Sequence, residues 1–312
     1  MKRVLLVSLA SILALIVLLI AITAYRAQRA DYGWDPSVAT PTYVSTHPRV
    51  VIDQAHNNAS TAGWTNRYWP LARLLRNDGY DVRKGTEPLS PRSLDSIDVL
   101  VIANASGAPK PQLLGINIPV STDKKREDPA FTSDEIRTVG AWVERGGSLL
   151  LIADHAPLGA ASAGLASVFG VKMYQGFVEV PNELSDPLLF SCDNHRLGNH
   201  AILSGKSPET AVRRVMTFTG QSLDGPADAS VLLMLPASAV EYVAHGESLE
   251  PQPAGKAQGL ALEYGRGRIV VLGEAAMLTA QVAEGEPFGM NTPGNDNRQL
   301  ALNIMHWLSH TL

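Results

Sequence analysis

The chain has 312 residues, 45% of them hydrophobic and 18% charged, with 26 Lys and Arg against 30 Asp and Glu and a formal net charge of −4. This composition suits a packed globular protein rather than a disordered one. The acidic balance leaves no basic footprint for nucleic acid. The single cysteine, Cys192, excludes an intrachain disulfide. Its neighbours Phe190, Ser191, Asp193 and Asn194 bring no cation to lower the thiol pKa, so it reads as passive and partly buried.

Lys2 and Arg3 precede an unbroken apolar stretch from Val4 to Ala24. Its length matches the roughly 20 residues that cross a bilayer as a helix. Ile22, two positions before Ala24, makes a poor signal-peptidase site, and the stretch is longer than the core of most cleaved signals. Residues 1–30 are therefore expected to form a signal anchor with the rest of the chain extracytoplasmic, a cleaved signal being the alternative. Arg26 and Arg29 on the far flank oppose that orientation, because positive charge prefers the cytoplasmic side.

Asp31 to Pro48 lacks periodicity and carries three prolines, which predicts a linker before a domain over 49–312. Arg49 to Asp53 reads as a short buried strand ending in Gln54-Ala55-His56-Asn57-Asn58. Apolar residues at helical spacing follow from Thr65 to Asn77 and stop at Asp78-Gly79. Tyr80 to Arg83 and Val99 to Ala103 are the next strands. A long insert, Ala108 to Ala130, precedes Thr132, an N-cap with Glu135 in capping-box position. That helix ends at Gly146-Gly147 and leads into Ser148 to Ala153, an apolar run with Asp154-His155 where it stops.

Gly159 to Phe169 predicts another helix. Arg213 to Phe218 and Val231 to Leu235 predict strands, and Ala237 to Gly255 a loop or hairpin. Gln258 to Tyr264 and Arg268 to Leu272 flank a glycine turn as a hairpin, the second strand running into Gly273-Glu274. Gly285 to Asn297 reads as a loop and Asn297 to His310 as a closing amphipathic helix. The alternation predicts an α/β fold with a doubly wound, mainly parallel sheet and an antiparallel hairpin near the C-terminus.

In an open parallel sheet, ligands sit outside the carboxyl ends of the strands. Three predicted ends carry reactive groups: His56-Asn57-Asn58, Asp154-His155 and Glu274. His56, Asp154, His155 and Glu274 suit general acid–base chemistry. The same four are a possible shell for zinc, manganese or iron, although no compact ligand motif is present. Asn57, Asn58 and Asn291, the last on a loop able to fold over the rim, are candidate ligand-binding residues. Each has a plainer reading: Asp154 as a helix cap, His56 as a strand-end cap, Glu274 as the partner of an arginine. Trp64, Tyr68 and Trp69 can stack on a sugar or pack in the core. His195 and His200 read as surface residues, and His245, His306 and His310 as solvated.

The order of these motifs resembles the class I glutamine amidotransferase-like superfamily, in particular an uncharacterised membrane-associated branch, and more distantly the trehalose-utilisation-type proteins. The resemblance covers Arg49 to Leu312. It rests on Asp53-Gln54-Ala55-His56-Asn57, on Gly146-Gly147 leading to Asp154-His155, on Arg268 to Glu274, and on the closing helix with Asn303 and Trp307. It implies a flavodoxin-like fold. The amidotransferases place a nucleophilic cysteine on the elbow after the strand that here ends at Asp154-His155, and this chain has none there, so the thiolate for glutamine hydrolysis is missing.

Two functions remain open on the sequence: an extracytoplasmic hydrolase for a small molecule or glycoconjugate, with or without a divalent metal, and a non-catalytic envelope module binding a ligand or partner through the same rim.

Overall fold

The computed structural model describes residues 15, 18, 19, 22, 28–58, 66–109, 112–113, 116–117, 126–183, 187–246 and 248–312. Apart from four positions, the Val4 to Ala24 stretch lies outside the described residues, as do Trp64 and most of the insert between Ala108 and Ala130. Among the described residues no helix is long and apolar enough to cross a membrane.

Nine strands form the main sheet: β1 (Arg49–Asp53), β2 (Asp81–Gly85), β3 (Val99–Ala103), β4 (Ser148–Ile152), β5 (Lys172–Met173), β6 (Leu223–Asp224), β7 (Ser230–Met234), β8 (Ala257–Tyr264) and β9 (Gly267–Leu272). Their spatial order is β2-β1-β3-β4-β9-β8-β6-β5, with β7 also paired to β8. The first five run parallel, and Leu150 of β4 lies between Val101 of β3 and Val270 of β9. From β8 onward pairing is antiparallel, beginning with the β8–β9 hairpin.

Alternation across the sheet creates two cores. On one face Val50, Ile52, Val101, Leu150, Ile152 and Val270 pack against helices α1 (Trp69–Asn77) and, at the C-terminus, the helix Asn297–Leu308. On the other face Leu100, Ile102, Leu149, Leu151 and Val271 pack against α2 (Ser133–Glu144) and α3 (Leu158–Val168). The C-terminal helix is α4. All five residues of β4 are buried, and burial stabilises each large apolar side chain there by about 1.5–3 kcal/mol. The apolar runs of β3 and β4 thus reflect strands covered on both faces. The sheet is doubly wound, as the sequence predicts.

Local signals set the helix ends. Thr132 Oγ1 accepts from the Glu135 backbone N–H, and the Glu135 carboxylate accepts from the Thr132 N–H, closing the capping box that starts α2. Gly79, at φ +97°, ends α1 where a Cβ would stand 1.9 Å from the Tyr43 carbonyl oxygen.

Several expectations need correction. Arg214–Thr217 is a strand, but it pairs with Leu188–Ser191 outside the main sheet. The expected loop from Gly285 contains the strand Glu286–Gly289, which pairs with Ala280–Ala283. Arg29–Ala30 adds to that hairpin as a third strand, so residues at the end of the expected anchor belong to the domain. Pairing between segments some 250 positions apart has no local signature, which is why periodicity misses it.

Asp31 to Pro48 is irregular as expected, yet it is fastened down. The Tyr43 N–H donates to the Asp78 carbonyl, and the Tyr43 hydroxyl bonds Ser309 and Thr311. Cys192 is exposed rather than partly buried. His306 is not solvated: its Nε2 lies 2.6 Å from a buried Asp78 oxygen and 2.9 Å from Thr42 Oγ1.

Gly79→Ala tests how strongly the Asp31 to Pro48 segment is held at Tyr43. The new methyl would meet backbone at a positive φ, so stability in urea should fall by about 1–3 kcal/mol, with no change in secondary structure by circular dichroism.

Candidate functional site

Because β1, β3, β4 and β9 run parallel, the segments after them share one rim. The direction of winding reverses between β1 and β3, the place where open α/β sheets usually leave a crevice. Here that crevice is stitched shut. Asn57 and Asn104 both take left-handed backbone, at φ 51° and 52°. Asn57 Nδ2 donates to the Ser106 carbonyl, Asn58 Nδ2 donates to the Ala103 carbonyl, and the Asp154 N–H donates to Asn104 Oδ1. The amides of Asn57 and Asn58 thus hold loops together. Asn291 does the same work elsewhere, donating to Asp31 and to the Gln281 carbonyl while accepting from the Phe288 N–H.

His56 is buried between two carboxylates. Its Nδ1 lies 2.9 Å from Asp53 Oδ2 and its Nε2 lies 3.0 Å from Glu135 Oε1, with the Phe131 ring 4.6 Å away. Burial works against the imidazolium, but the two carboxylates outweigh it and raise the His56 pKa. Glu135 is also disfavoured by burial. Its bonds from the Thr132 backbone, His56, the Thr132 hydroxyl and the Leu89 N–H prevail and lower its pKa to about 2. With both ring nitrogens engaged, His56 is not placed to bind a metal or to act as a base. The expected four-ligand shell of His56, Asp154, His155 and Glu274 is therefore not assembled. Among the described residues no group of three or more His, Cys, Asp or Glu side chains is placed to hold a metal ion.

Asp154, His155 and Glu274 do come together, where β4 and β9 end side by side. Glu274 is fully buried; its two oxygens accept from the backbone N–H groups of Ala276, at 2.6 Å, and Met277, at 2.8 Å. Burial raises its pKa well above the carboxylate range, the charge of Asp154 raises it further, and N–H donors including that of Phe218 only partly offset this. Burial raises Asp154 as well, against the pull of His155 and Arg67. Because the charge of each bears on the other, the two carboxyls titrate as a pair that retains a proton above the usual carboxylate range.

The Asp154 Oδ1 accepts from the His155 N–H, and His155 Nδ1 lies 2.8 Å from the Ala156 carbonyl. A carbonyl can only accept, so Nδ1 carries a hydrogen, and Nε2 is the nitrogen left to accept one when the ring is neutral. The imidazole stacks on Phe177 with ring centres 4.3 Å apart. Asp154 and His155 line a cavity of about 100 Å³ with Gln28, Arg67, Phe218, Thr219, Thr279, Gln281 and Phe288. Glu274 sits behind this wall.

Sequence reasoning missed several of these residues. Arg67 donates to Gln28 Oε1 at 2.9 Å, and burial lowers its pKa although Asp154 opposes this. Thr219 has φ +77°, strained for a β-branched side chain. Strain of this kind clusters at functional sites, but it is invisible in a string of letters. Gln281 and Phe288 come from the small three-stranded sheet, and Gln28 from the residue just before its Arg29–Ala30 strand, none of which had a sequence signal.

A larger cleft, about 630 Å³, opens at the opposite, amino ends of the strands around Arg49, Asp98, Arg145 and His310. Its main charges, Arg49 and Asp98, already pair with each other. Size favours that cleft; the converging acid, base and cation favour the rim.

No family model matches the chain, and no curated protein matches it. Among solved structures it is similar to the N-terminal domain of mmIFT52, at 13% identity and TM-score 0.55, covering 83% of this chain and 97% of that one. It is also similar to cytoplasmic protein STM3548 from Salmonella typhimurium, at 15% identity and TM-score 0.48, covering 84% and 98%. A third is a ThuA-like protein from Bacteroides uniformis, at 12% identity and TM-score 0.47, covering 89% and 95%. The likeness is distant and is one of fold alone. It carries no statement about membrane attachment or activity.

The His56 bridge predicts two pH limbs. Glu135 has a lowered folded pKa, so its contribution is present above its ordinary 4.5 and is lost as pH falls towards about 2. His56 has a raised folded pKa, so its contribution is full below its ordinary 6.5 and is lost as pH rises through the folded value. Glu135→Gln should lower stability near neutrality by about 1–3 kcal/mol and flatten the acid limb in urea titrations run across pH.

Proposed function

We propose that the chain is a hydrolase for small polar molecules that works from the rim cavity by acid–base chemistry. The observation that carries this reading is the pairing of His155 and Asp154 in one cavity. The ring is oriented by the Nδ1–H bond to the Ala156 carbonyl, which leaves Nε2 as its other nitrogen, and the adjoining carboxyl is biased by burial towards its protonated form. In the proposed step, His155 Nε2 takes a proton from a water as the water oxygen bonds to the electrophilic carbon. Asp154 gives its proton to the departing oxygen or nitrogen. Arg67 steadies the negative charge that develops between these events. Glu274 is a positioning residue, gathering backbone N–H groups behind Asp154 and keeping a proton in the pair.

By the resemblance read from the sequence, Asp154 and His155 stand on the turn where the amidotransferases place their cysteine, and Cys192 lies elsewhere, on an exposed turn. Direct attack by water, without a covalent enzyme intermediate, is the mechanism that fits these residues. The same absence of a nucleophile favours a second reading, a module that binds a small polar or saccharide ligand without turning it over.

Attachment to the membrane through Val4 to Ala24, with the domain outside the cytoplasm, is also proposed, on the strength of sequence alone.

His155→Ala and Asp154→Asn should each lower turnover on a panel of small esters, amides and glycosides by about 10²–10⁴-fold while melting close to wild type. Turnover unaffected by both would remove the mechanism. A wild type that binds members of the panel and hydrolyses none would establish the binding reading. Fractionation should place a full-length product with membranes; a soluble product of reduced mass would show that the apolar stretch is a removed signal.

A further inference from the structure

We infer that the carboxyl-end rim lies against the bilayer surface, so that the cavity takes its ligand from the polar headgroup layer. The inference rests on the proposed membrane attachment and goes beyond it by assigning which end of the domain faces the lipid.

The first observation is where the chain enters the fold. Arg29 and Ala30 pair with Val282 and Gln281, and the Asp31 N–H donates to the Ala280 carbonyl. Gln28, one residue earlier, is itself part of the cavity wall with Gln281 and Phe288. The apolar stretch ends at Ala24. Four residue steps cover at most about 14 Å even when fully extended. A span ending at Ala24 would therefore hold this wall, and the site beside it, within about 14 Å of the hydrocarbon, roughly two headgroup layers. The strands themselves, at about 3.3 Å per residue, carry the opposite cleft around Arg49 and Arg145 away from it.

The second observation is the surface beside that entry. Tyr32 is 47% exposed and meets the Trp69 ring edge-on with centres 4.8 Å apart. The Arg73 guanidinium lies over Trp69, 4.7 Å from the ring centre. Arg29 is half-buried on the same segment. Tyr and Trp concentrate at bilayer interfaces because each has an apolar body and a polar handle. Arginines there attract anionic headgroups. Trp69 lies two residues after Arg67 of the cavity, so this aromatic and basic patch and the site share one end of the domain.

The partner surface is a bilayer containing anionic lipid, and the ligand class is a polar group presented at its surface. The test uses the full chain in vesicles of phosphatidylcholine and phosphatidylglycerol, doped with a lipid carrying a nitroxide on its headgroup. In a Cys192→Ser background, a fluorophore is attached at Glu286→Cys, an exposed site on the hairpin that pairs with Arg29, or at Arg145→Cys, an exposed site at the opposite end. The expected result is quenching several-fold stronger at position 286 than at 145. A chain that floats with the vesicles but shows equal or reversed quenching overturns this inference and leaves the attachment standing. A chain that does not float with the vesicles removes the attachment, and the inference with it. Loss of the hydrolytic mechanism would affect neither result.

Discussion

Burial of β4 between β3 and β9, in parallel register, is the constraint from which the rest follows. Leu149 to Ile152 are inaccessible to solvent, and their alternation divides the protein into two cores of helices on opposite faces. Once β4 and β9 run in the same direction, Asp154 and Glu274 must emerge side by side. A one-residue slip would exchange the faces of every leucine in β4, so packing protects the register. The same register brings Asp154 and Glu274, each two residues past the paired Ile152 and Leu272, to adjacent strand ends.

The structure treats its two carboxylate pairs in opposite ways. Asp53 and Glu135 close on His56, and the bonds that Glu135 accepts from the Thr132 backbone, His56, the Thr132 hydroxyl and the Leu89 N–H draw its carboxyl down to about 2. Burial pushes both Asp154 and Glu274 up, and His155 and Arg67 at Asp154 and backbone N–H groups at Glu274 only partly offset it. The first arrangement is saturated and joins the end of β1 to the start of α2. The second biases two carboxyls beside a cavity towards their protonated forms. Such a proton is useful only if something nearby can receive or supply its partner, and His155 meets that need with its hydrogen held by the Ala156 carbonyl.

The cavity wall is a composite. Phe218 and Thr219 come from the segment that crosses the ends of β4 and β9, where the Gln221 side chain donates to the carbonyls of Ala153 and Asp154. Gln281 and Phe288 come from the late hairpin, and Gln28 from the residue just before the strand that completes it. The site therefore depends on the segment that precedes the domain as well as on the domain.

By itself, the sequence determined the winding. Apolar runs with glycine turns, the Thr132–Glu135 capping box, the Asp78-Gly79 stop and the Gly265-Arg266 hairpin are local signals, and each forms where the letters place it. It also determined that Asp154, His155 and Glu274 lie at strand ends, because parallel alternation fixes one rim. Tertiary structure decided which of the rim residues remain available. His56 stands at a strand end just as His155 does, but two carboxylates from different elements take both its nitrogens. Asn57 and Asn58 are spent on neighbouring loops, and His306 is drawn to the buried Asp78. Arg67, Thr219 and Gln281 join the site only because distant backbone segments meet. Hydrogen-bond partners and left-handed backbone belong to three-dimensional proximity, which no spacing along the chain encodes.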